Sequence, residues 1–411
     1  MKNSFAMRYR VFLSALFAVA MCSVSSAQSV KELKRWVEHN LSAVELSKES
    51  FANKSLSAEE AREASSMLES LWRAQMQLRH KDALEKETFK RGNLQMKFKA
   101  ITYGDKPADG RSLYISMHGG GATHARVNDQ QWSNQIRLYT PDEGVYVAPR
   151  APWNDWNMWF KPGMDEFFEM LIQAAVATMD VNPDKVYLLG YSAGGDGVWR
   201  MAPRMADRWA AASMMAGHPG EASQVNLRNT PYMIWMGEND AAYNRNELAV
   251  KHGAIMDSLQ RADNGGYIHE THIIKGKGHW MERIDTLAID WMAKHQRNPY
   301  PEKVVWRQEE VTRKAFYWLS APENECRHKA TVIASREGNT INIESSDYSR
   351  LTIYLNDDMV NLDKPVTILY KGKKLFKGKL PRTIANLART LDDRGDLRYM
   401  FPAMVEVELP Q

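Results

Sequence analysis

The chain has 411 residues, 44% of them hydrophobic and 25% charged, which is ordinary for a folded protein of two or three domains and excludes a disordered or fibrous chain. Its formal charge of +4 sits largely at the start, where Lys2, Arg8 and Arg10 have no acidic neighbour; setting aside residues 1–27 leaves +1. That balance excludes a polyanion-binding footprint, so no nucleic-acid partner is expected.

The basic start is followed by the apolar run "VFLSALFAVAMCSV" and by the small residues Ser25, Ser26 and Ala27. This pattern reads as a secretory signal peptide over 1–27, cleaved after Ala27. The run is shorter than the roughly 18 to 20 residues that spanning needs. The expected location is therefore exported, periplasmic or extracellular, with no membrane association once the segment is removed. Cys22 leaves with it. Cys326 then stands alone, so no internal disulfide is expected.

Residues 28–92 are polar and helix-favouring. Ser57 followed by Glu60 predicts a capping box, and Leu68, Leu71, Met76 and Leu78 a stripe of the helix behind it. A helical hairpin packed on the main domain is expected here, with a lid or partner surface as the alternative. From about 93 to 298 short β-rich runs, among them "LYISMHGGG", "GVYVAPR", "KVYLLGYSAGG" and "YMIWMGEND", alternate with amphipathic stretches such as "DEFFEMLIQAAVATMD". This rhythm predicts an α/β domain: a mostly parallel sheet with helices on both faces, binding ligands beyond the carboxyl ends of its strands. Residues 299–411 read as a small, mostly β accessory domain, sandwich-like, with a hairpin turning at Gly338 and Asn339.

Gly190-Tyr191-Ser192-Ala193-Gly194 fits the G-x-S-x-G turn, in which only small residues fit two positions either side of a serine between strand and helix. His118-Gly119-Gly120-Gly121 follows a predicted strand. An amide of Gly119 or Gly120, with that of Ala193, would make a two-donor hole for a developing oxyanion. In sheets built around such a serine, the acid and then the histidine follow it in the chain. Asp240, in the polar turn after "YMIWMG", fits the acid better than its neighbour Glu238. His279, in "GKGHW", fits the base. His218 could line the same pocket. His269 and His272 are three apart on a strand, face opposite ways and cannot share a metal ion.

Together "HGGG", "GYSAGG", "GEND" and "GKGHW" resemble the α/β-hydrolase superfamily over residues 93–297, and more narrowly the secreted serine esterases of the polyhydroxybutyrate-depolymerase and feruloyl-esterase group. The resemblance implies a serine-esterase mechanism with Ser192 as nucleophile, His279 as base, Asp240 as its orienting acid and the amides of Gly119 or Gly120 and Ala193 as oxyanion donors. It implies no metal and no cofactor. The sequence shows no HExxH, no cysteine cluster and no P-loop. Trp153, Trp156 and Trp159, spaced by three after "VYVAP", and Trp280 beside His279 are candidates to stack on a sugar or a phenolic acyl group, or else to support the loops. Arg126, Arg150, Lys161 and Arg245 read as solvated surface before substrate contacts. The expected partner is a small-molecule or polysaccharide-linked ester. Two other readings stay open: a serine peptidase on the same fold, and a non-catalytic binding or scaffold protein with a hydrolase-like domain.

Overall fold

The computed structural model describes residues 28–40, 43 and 45–410; the expected signal peptide over 1–27 lies outside them. The chain divides into two compact units. The first takes the described residues up to Gln75 with Tyr354–Val366 and Lys377–Val405, and the second takes Met76–Ile353, Thr367–Phe376 and the end of the chain from Glu406. Residues 28–39 form helix α1. Helix α2 (Ala58–Glu85) starts on the expected capping box: the Ser57 amide donates to Glu60 Oε2 at 2.8 Å and the Glu60 amide to Ser57 Oγ at 3.2 Å. Leu68, Leu71 and Met76 are buried, whereas Leu78 is exposed. Two residues past Met76 it has turned roughly 200° around the helix, off the apolar stripe.

The second unit is built on an eight-stranded sheet, in the order β1-β2-β4-β3-β5-β6-β7-β8. Its strands are β1 (Thr88–Arg91), β2 (Leu94–Tyr103), β3 (Arg111–Met117), β4 (Gly144–Arg150), β5 (Val181–Tyr191), β6 (Ala211–Met215), β7 (Tyr232–Gly237) and β8 (His269–Ile274). β1 and β2 form an antiparallel edge, and β4 to β8 run parallel with β3. Four helices join them, α3 (Ala125–Gln135), α4 (Met164–Thr178), α5 (Ala193–Arg204) and α6 (Arg245–Ala262), and α7 (Leu287–Met292) follows β8.

Strand periodicity of two explains why both faces are covered. On β5, Tyr187, Leu189 and Tyr191 join Tyr114, Tyr146, Met215 and Trp235 against Trp132 of α3, Ile136 just after it, and Ala288, Ile289 and Met292 of α7. The intervening Leu188 points the other way with Ile115, Met214, Ile234 and Tyr232, all fully enclosed. On that face Trp199 of α5 packs against Tyr232 and against His252 of α6. Central strands buried on both faces read as unbroken apolar runs, which is how "KVYLLGY" reads.

Two smaller sheets follow, β10-β11-β14-β17 and β16-β15-β13-β12-β9. Their strands are β9 (Lys303–Arg307), β10 (Ala315–Phe316), β11 (Leu319–Ser320), β12 (Thr331–Glu337), β13 (Thr340–Ser346), β14 (Arg350–Leu355), β15 (Val366–Tyr370), β16 (Lys373–Gly378) and β17 (Ala403–Glu408). β12 and β13 make the hairpin expected at Gly338 and Asn339. Residues 299–353 belong to the same compact unit as the large sheet. Arg313 reaches Glu169 of α4 at 3.1 Å and Asp165 at 3.6 Å, and the Asn226 side chain exchanges two hydrogen bonds with the Arg307 backbone. In the first unit, helix α8 (Ile384–Arg394) is capped by Thr383, whose side chain accepts from the Asn386 amide, and it ends on Gly395 in the left-handed region.

Leu188→Ala, in the middle of β5, should cost roughly 2–5 kcal/mol of stability, because the enclosed site cannot collapse around the missing atoms. Denaturant unfolding of the two proteins measures it.

Candidate active site

Ser192 caps α5 directly after β5, with φ 58° and ψ −121°, a strained conformation for a side-chain-bearing residue. The turn is held by close backbone approach. A Cβ on Gly194 would lie 2.1 Å from the Met117 carbonyl oxygen, and one on Gly190 would lie 2.4 Å from that of Gly194. The Ser192 amide donates to the Met215 carbonyl at 2.9 Å, and its carbonyl accepts the first helical bond from Asp196. The hydroxyl is thereby fixed at a helix N-terminus at the carboxyl edge of the sheet, where negative charge is favoured.

The structure brings Ser192, His279 and Asp240 together. His279 Nε2 is 2.9 Å from Ser192 Oγ, and His279 Nδ1 is 2.7 Å from Asp240 Oδ2. Since Asp240 is enclosed at 2% side-chain exposure while His279 is 44% exposed, the carboxylate's proximity fixes the tautomer. Nδ1–H donates to it, and Nε2 is left to accept from the serine. Glu238, the rejected neighbour, accepts from the Gly276 amide at 2.7 Å, and the Asn239 amide donates to the Lys277 carbonyl at 2.8 Å. The acid-bearing turn therefore holds the histidine-bearing loop. A second clamp was invisible in the sequence: the Tyr191 hydroxyl donates to the His279 carbonyl at 2.7 Å and accepts from the Met281 amide at 3.0 Å.

His118 supports the glycine loop from below. It is fully buried, its Nδ1 donates to the Gly119 carbonyl at 2.6 Å, and its Nε2 accepts from the Ala151 amide. Burial pushes its pKa down to about 3, so it stays neutral in this role. Buried Asn128 accepts from the Gly121 amide at 2.8 Å and donates to Thr123 and Asn154. The amides of Gly119, Gly120 and Ala193 have no acceptor among the described residues. Gly119 stands against Ser192, its would-be Cβ 3.2 Å from the serine Cβ. Unspent donors beside an activated hydroxyl suit an oxyanion.

Two cavities meet at Ser192. One, of about 410 Å³, is lined by Gly120, Gly121, Trp156, Phe160, Ala193, Asp196, Arg200, His218, Tyr243 and Arg245. The other, of about 570 Å³, is lined by Gly119, Gly120, Gln131, Leu138, Tyr191, His279 and Trp280. Of the four tryptophan candidates, Trp156 and Trp280 are exposed and line these cavities. Trp159 is a correction. It is fully buried, donates to the His118 carbonyl at 2.9 Å and stacks on Phe168. Trp153 also lines neither cavity; the Lys161 ammonium lies 5.4 Å from its ring centre. A spacing of three across a tight turn puts the rings on different sides, and only Trp156 faces the serine. Arg150 is likewise structural: it pairs with Asp129 and donates to the Ala151 and Trp153 carbonyls.

Asp196, Arg200 and Tyr243 were not singled out from the sequence. Asp196 and Arg200 had a legible signal, lying four and eight residues after Ser192 on one face of α5. Burial raises the Asp196 carboxyl pKa to about 6, although it accepts from the His218 amide at 2.6 Å. Burial, then the charges of Arg245 and Arg200, lower that of His218.

Sheet order, covering helices and the serine turn after β5 make this an α/β-hydrolase fold. No family model and no curated protein matches the chain. Among solved structures, a thermostable esterase is similar at 17% identity and a TM-score of 0.39, over 51% of this chain and 62% of its own, so the chain spans about 62% of that protein's length. A ferulic acid esterase shares 19% identity at a TM-score of 0.35, over 50% of this chain and 95% of its own. The feruloyl esterase module from Clostridium thermocellum, complexed with sinapinate, shares 15% at 0.36, over 51% and 86%.

Two substitutions probe the site's construction. A Cβ on Gly237 would lie 2.0 Å from the Gly278 carbonyl oxygen. Gly237→Ala should therefore displace the His279 loop and slow phosphonylation of Ser192 by a fluorophosphonate, roughly a hundredfold for a shift near 1 Å. Asp196→Asn keeps an acceptor for the His218 amide and removes a buried charge. The folded-state pKa of Asp196 is raised, so its ionisation weakens the fold above about pH 6 and ceases to do so as pH falls toward 4. The variant should be more stable at pH 8 by up to about 3 kcal/mol, a margin that vanishes near pH 4; thermal unfolding across that range measures it.

Proposed function

We propose that the protein is a serine-dependent carboxylic ester hydrolase. The observation that carries this reading is the continuous chain from Ser192 Oγ through His279 to Asp240 Oδ2, at 2.9 and 2.7 Å, beside unspent backbone amides and between two cavities. Ser192 attacks the ester carbonyl while His279 Nε2 takes its proton. The Gly119 or Gly120 amide and that of Ala193 donate to the oxyanion, each worth about 3 kcal/mol in the transition state. His279 returns the proton to the departing alcohol oxygen, and Asp240 holds the imidazolium. Water activated by the same His279 then releases the acid. No metal ion or cofactor enters any step. Trp156 and Trp280 support a carbohydrate-linked or aromatic ester as substrate, since exposed rings at a cavity mouth stack on flat faces. The basic then apolar start of the chain supports export, to the periplasm or outside the cell.

The test is hydrolysis of p-nitrophenyl acyl esters and methyl ferulate by the purified protein. Turnover should fall to background in Ser192→Ala, and by roughly 10⁴-fold in Asp240→Asn, which presents the wrong histidine tautomer. If no ester is cleaved and a fluorophosphonate leaves Ser192 unlabelled, the non-catalytic reading takes its place.

A further inference from the structure

The two cavities differ in chemistry, and the difference bears on the substrate of the proposed esterase, on which reading this inference rests. His279 must hand its proton to the leaving oxygen, so the alcohol lies on the side of the cavity that His279 and Trp280 line. The acyl group then occupies the other cavity, which His279 does not line. That second space holds two arginines. The Arg200 guanidinium lies over the Phe160 ring at 5.3 Å and pairs with Glu310 through Nη1 at 2.7 Å. Arg245 lies over the Tyr243 ring at 4.9 Å. Its Nη1 donates to the Ala242 carbonyl at 3.3 Å, and Asp240 Oδ1 stands 4.0 Å away. Its enclosed Nε has no acceptor among the described residues. Stacking fixes the plane of each guanidinium and leaves its edge for a planar anion.

The histidine in this cavity adds a donor. The Gly220 amide donates to His218 Nδ1 at 3.0 Å, so the proton of the neutral ring sits on Nε2. Asp196 is the carboxylate inside the cavity, and its Oδ1 accepts from the His218 amide at 2.6 Å. Two fixed cations and a ring N–H meet three carboxylates here, of which Glu310 is engaged by Arg200 Nη1 and Asp240 by His279, while the enclosed Arg245 Nε keeps no acceptor among the described residues. A purely hydrocarbon acyl chain would leave the Arg245 donor buried and unpaired, which is costly.

We infer that the acyl part of the substrate carries a carboxylate, held in the Ser192 cavity by Arg245 with Arg200 and His218. The ester cleaved is thus a half-ester of a dicarboxylic acid, or an acyl group with an equivalent terminal carboxylate, its alcohol lying against Trp280.

The test compares monobenzyl glutarate with benzyl pentanoate, chains of equal length that differ in the terminal carboxylate. Wild-type kcat/KM should favour the half-ester roughly tenfold or more, chiefly through KM, as one charge-assisted contact provides. In Arg245→Gln that ratio should fall by about the same factor. Equal or better cleavage of the neutral ester by the wild type overturns the inference and leaves the esterase reading standing. Titration of Ser192→Ala with glutarate separates the two questions. Binding that is saturable in Ser192→Ala and lost in Ser192→Ala/Arg245→Gln supports the anion subsite even if neither ester turns over, in which case the esterase reading fails. No binding to Ser192→Ala overturns the subsite. Competitive inhibition of the wild type by glutarate, with pentanoate as control, requires no substitution and must agree.

Discussion

The close approach of Gly194 to the Met117 carbonyl, with Gly190 stacked beneath Gly194, is the constraint from which the site follows. It lets β5 turn into α5 without a side chain between them and forces Ser192 into a conformation that costs about 1–3 kcal/mol. That strain persists because β3 and β6 flank β5 in register and the Ser192 amide is bonded to Met215. The same approach puts the carboxyl end of β3 directly beside the serine. The His118–Gly121 loop therefore begins where oxyanion donors are needed.

Around this fixed point the other loops are oriented by short polar contacts. Tyr191 precedes the serine and bonds the backbone on both sides of Trp280, so nucleophile and base are referred to one side chain. Glu238 and Asn239 tie the acid's turn to the same loop. Asp240 needs no mobility and is enclosed. His279, which must meet substrate and water, keeps its exposure. On the opposite side, His118, Asn128, Asn154 and Arg150 link the glycine loop to the tryptophan loop. Buried networks of this sort hold a loop in one arrangement only when their members are satisfied.

The elements legible in the sequence are those in which a local pattern encodes a backbone demand. Gly190, Ser192 and Gly194 announce their turn because nothing larger fits, and Ser57 with Glu60 announces a helix start. Asp240 and His279 were legible through chain order, since each must come from the carboxyl end of a later strand. Tyr191 was not, because the position before the serine accepts any residue and the hydroxyl's partners lie almost ninety positions further on. Trp159 is not legible for the converse reason: three tryptophans in one loop look alike, and only packing against His118 and Phe168 separates the buried ring from the exposed one. The "NPYPEK" stretch looks like a linker, yet Arg297 just before it bonds Asp184 and the Asp207 carbonyl, and Lys303 at its end pairs with Asp263. A linker's composition does not reveal distant acids waiting for its flanks.

The asymmetry about Ser192 gives the site a direction. A nucleophile at a helix N-terminus can be approached from either side, and the backbone donors alone do not say which half of an ester goes where. The histidine decides, because proton return demands that the leaving oxygen lie near Nε2. Once the alcohol is assigned to the side of Tyr191, His279 and Trp280, the cavity on the other side must receive the acyl group. The residues there are set by α5 itself, which carries Asp196 and Arg200 one and two helical turns beyond the serine, and by the turn after Asp240, which carries Tyr243 and Arg245. The two elements that supply nucleophile and acid thus also supply the charges that meet the acyl chain. A change of acyl preference at those positions would be felt at once by the triad.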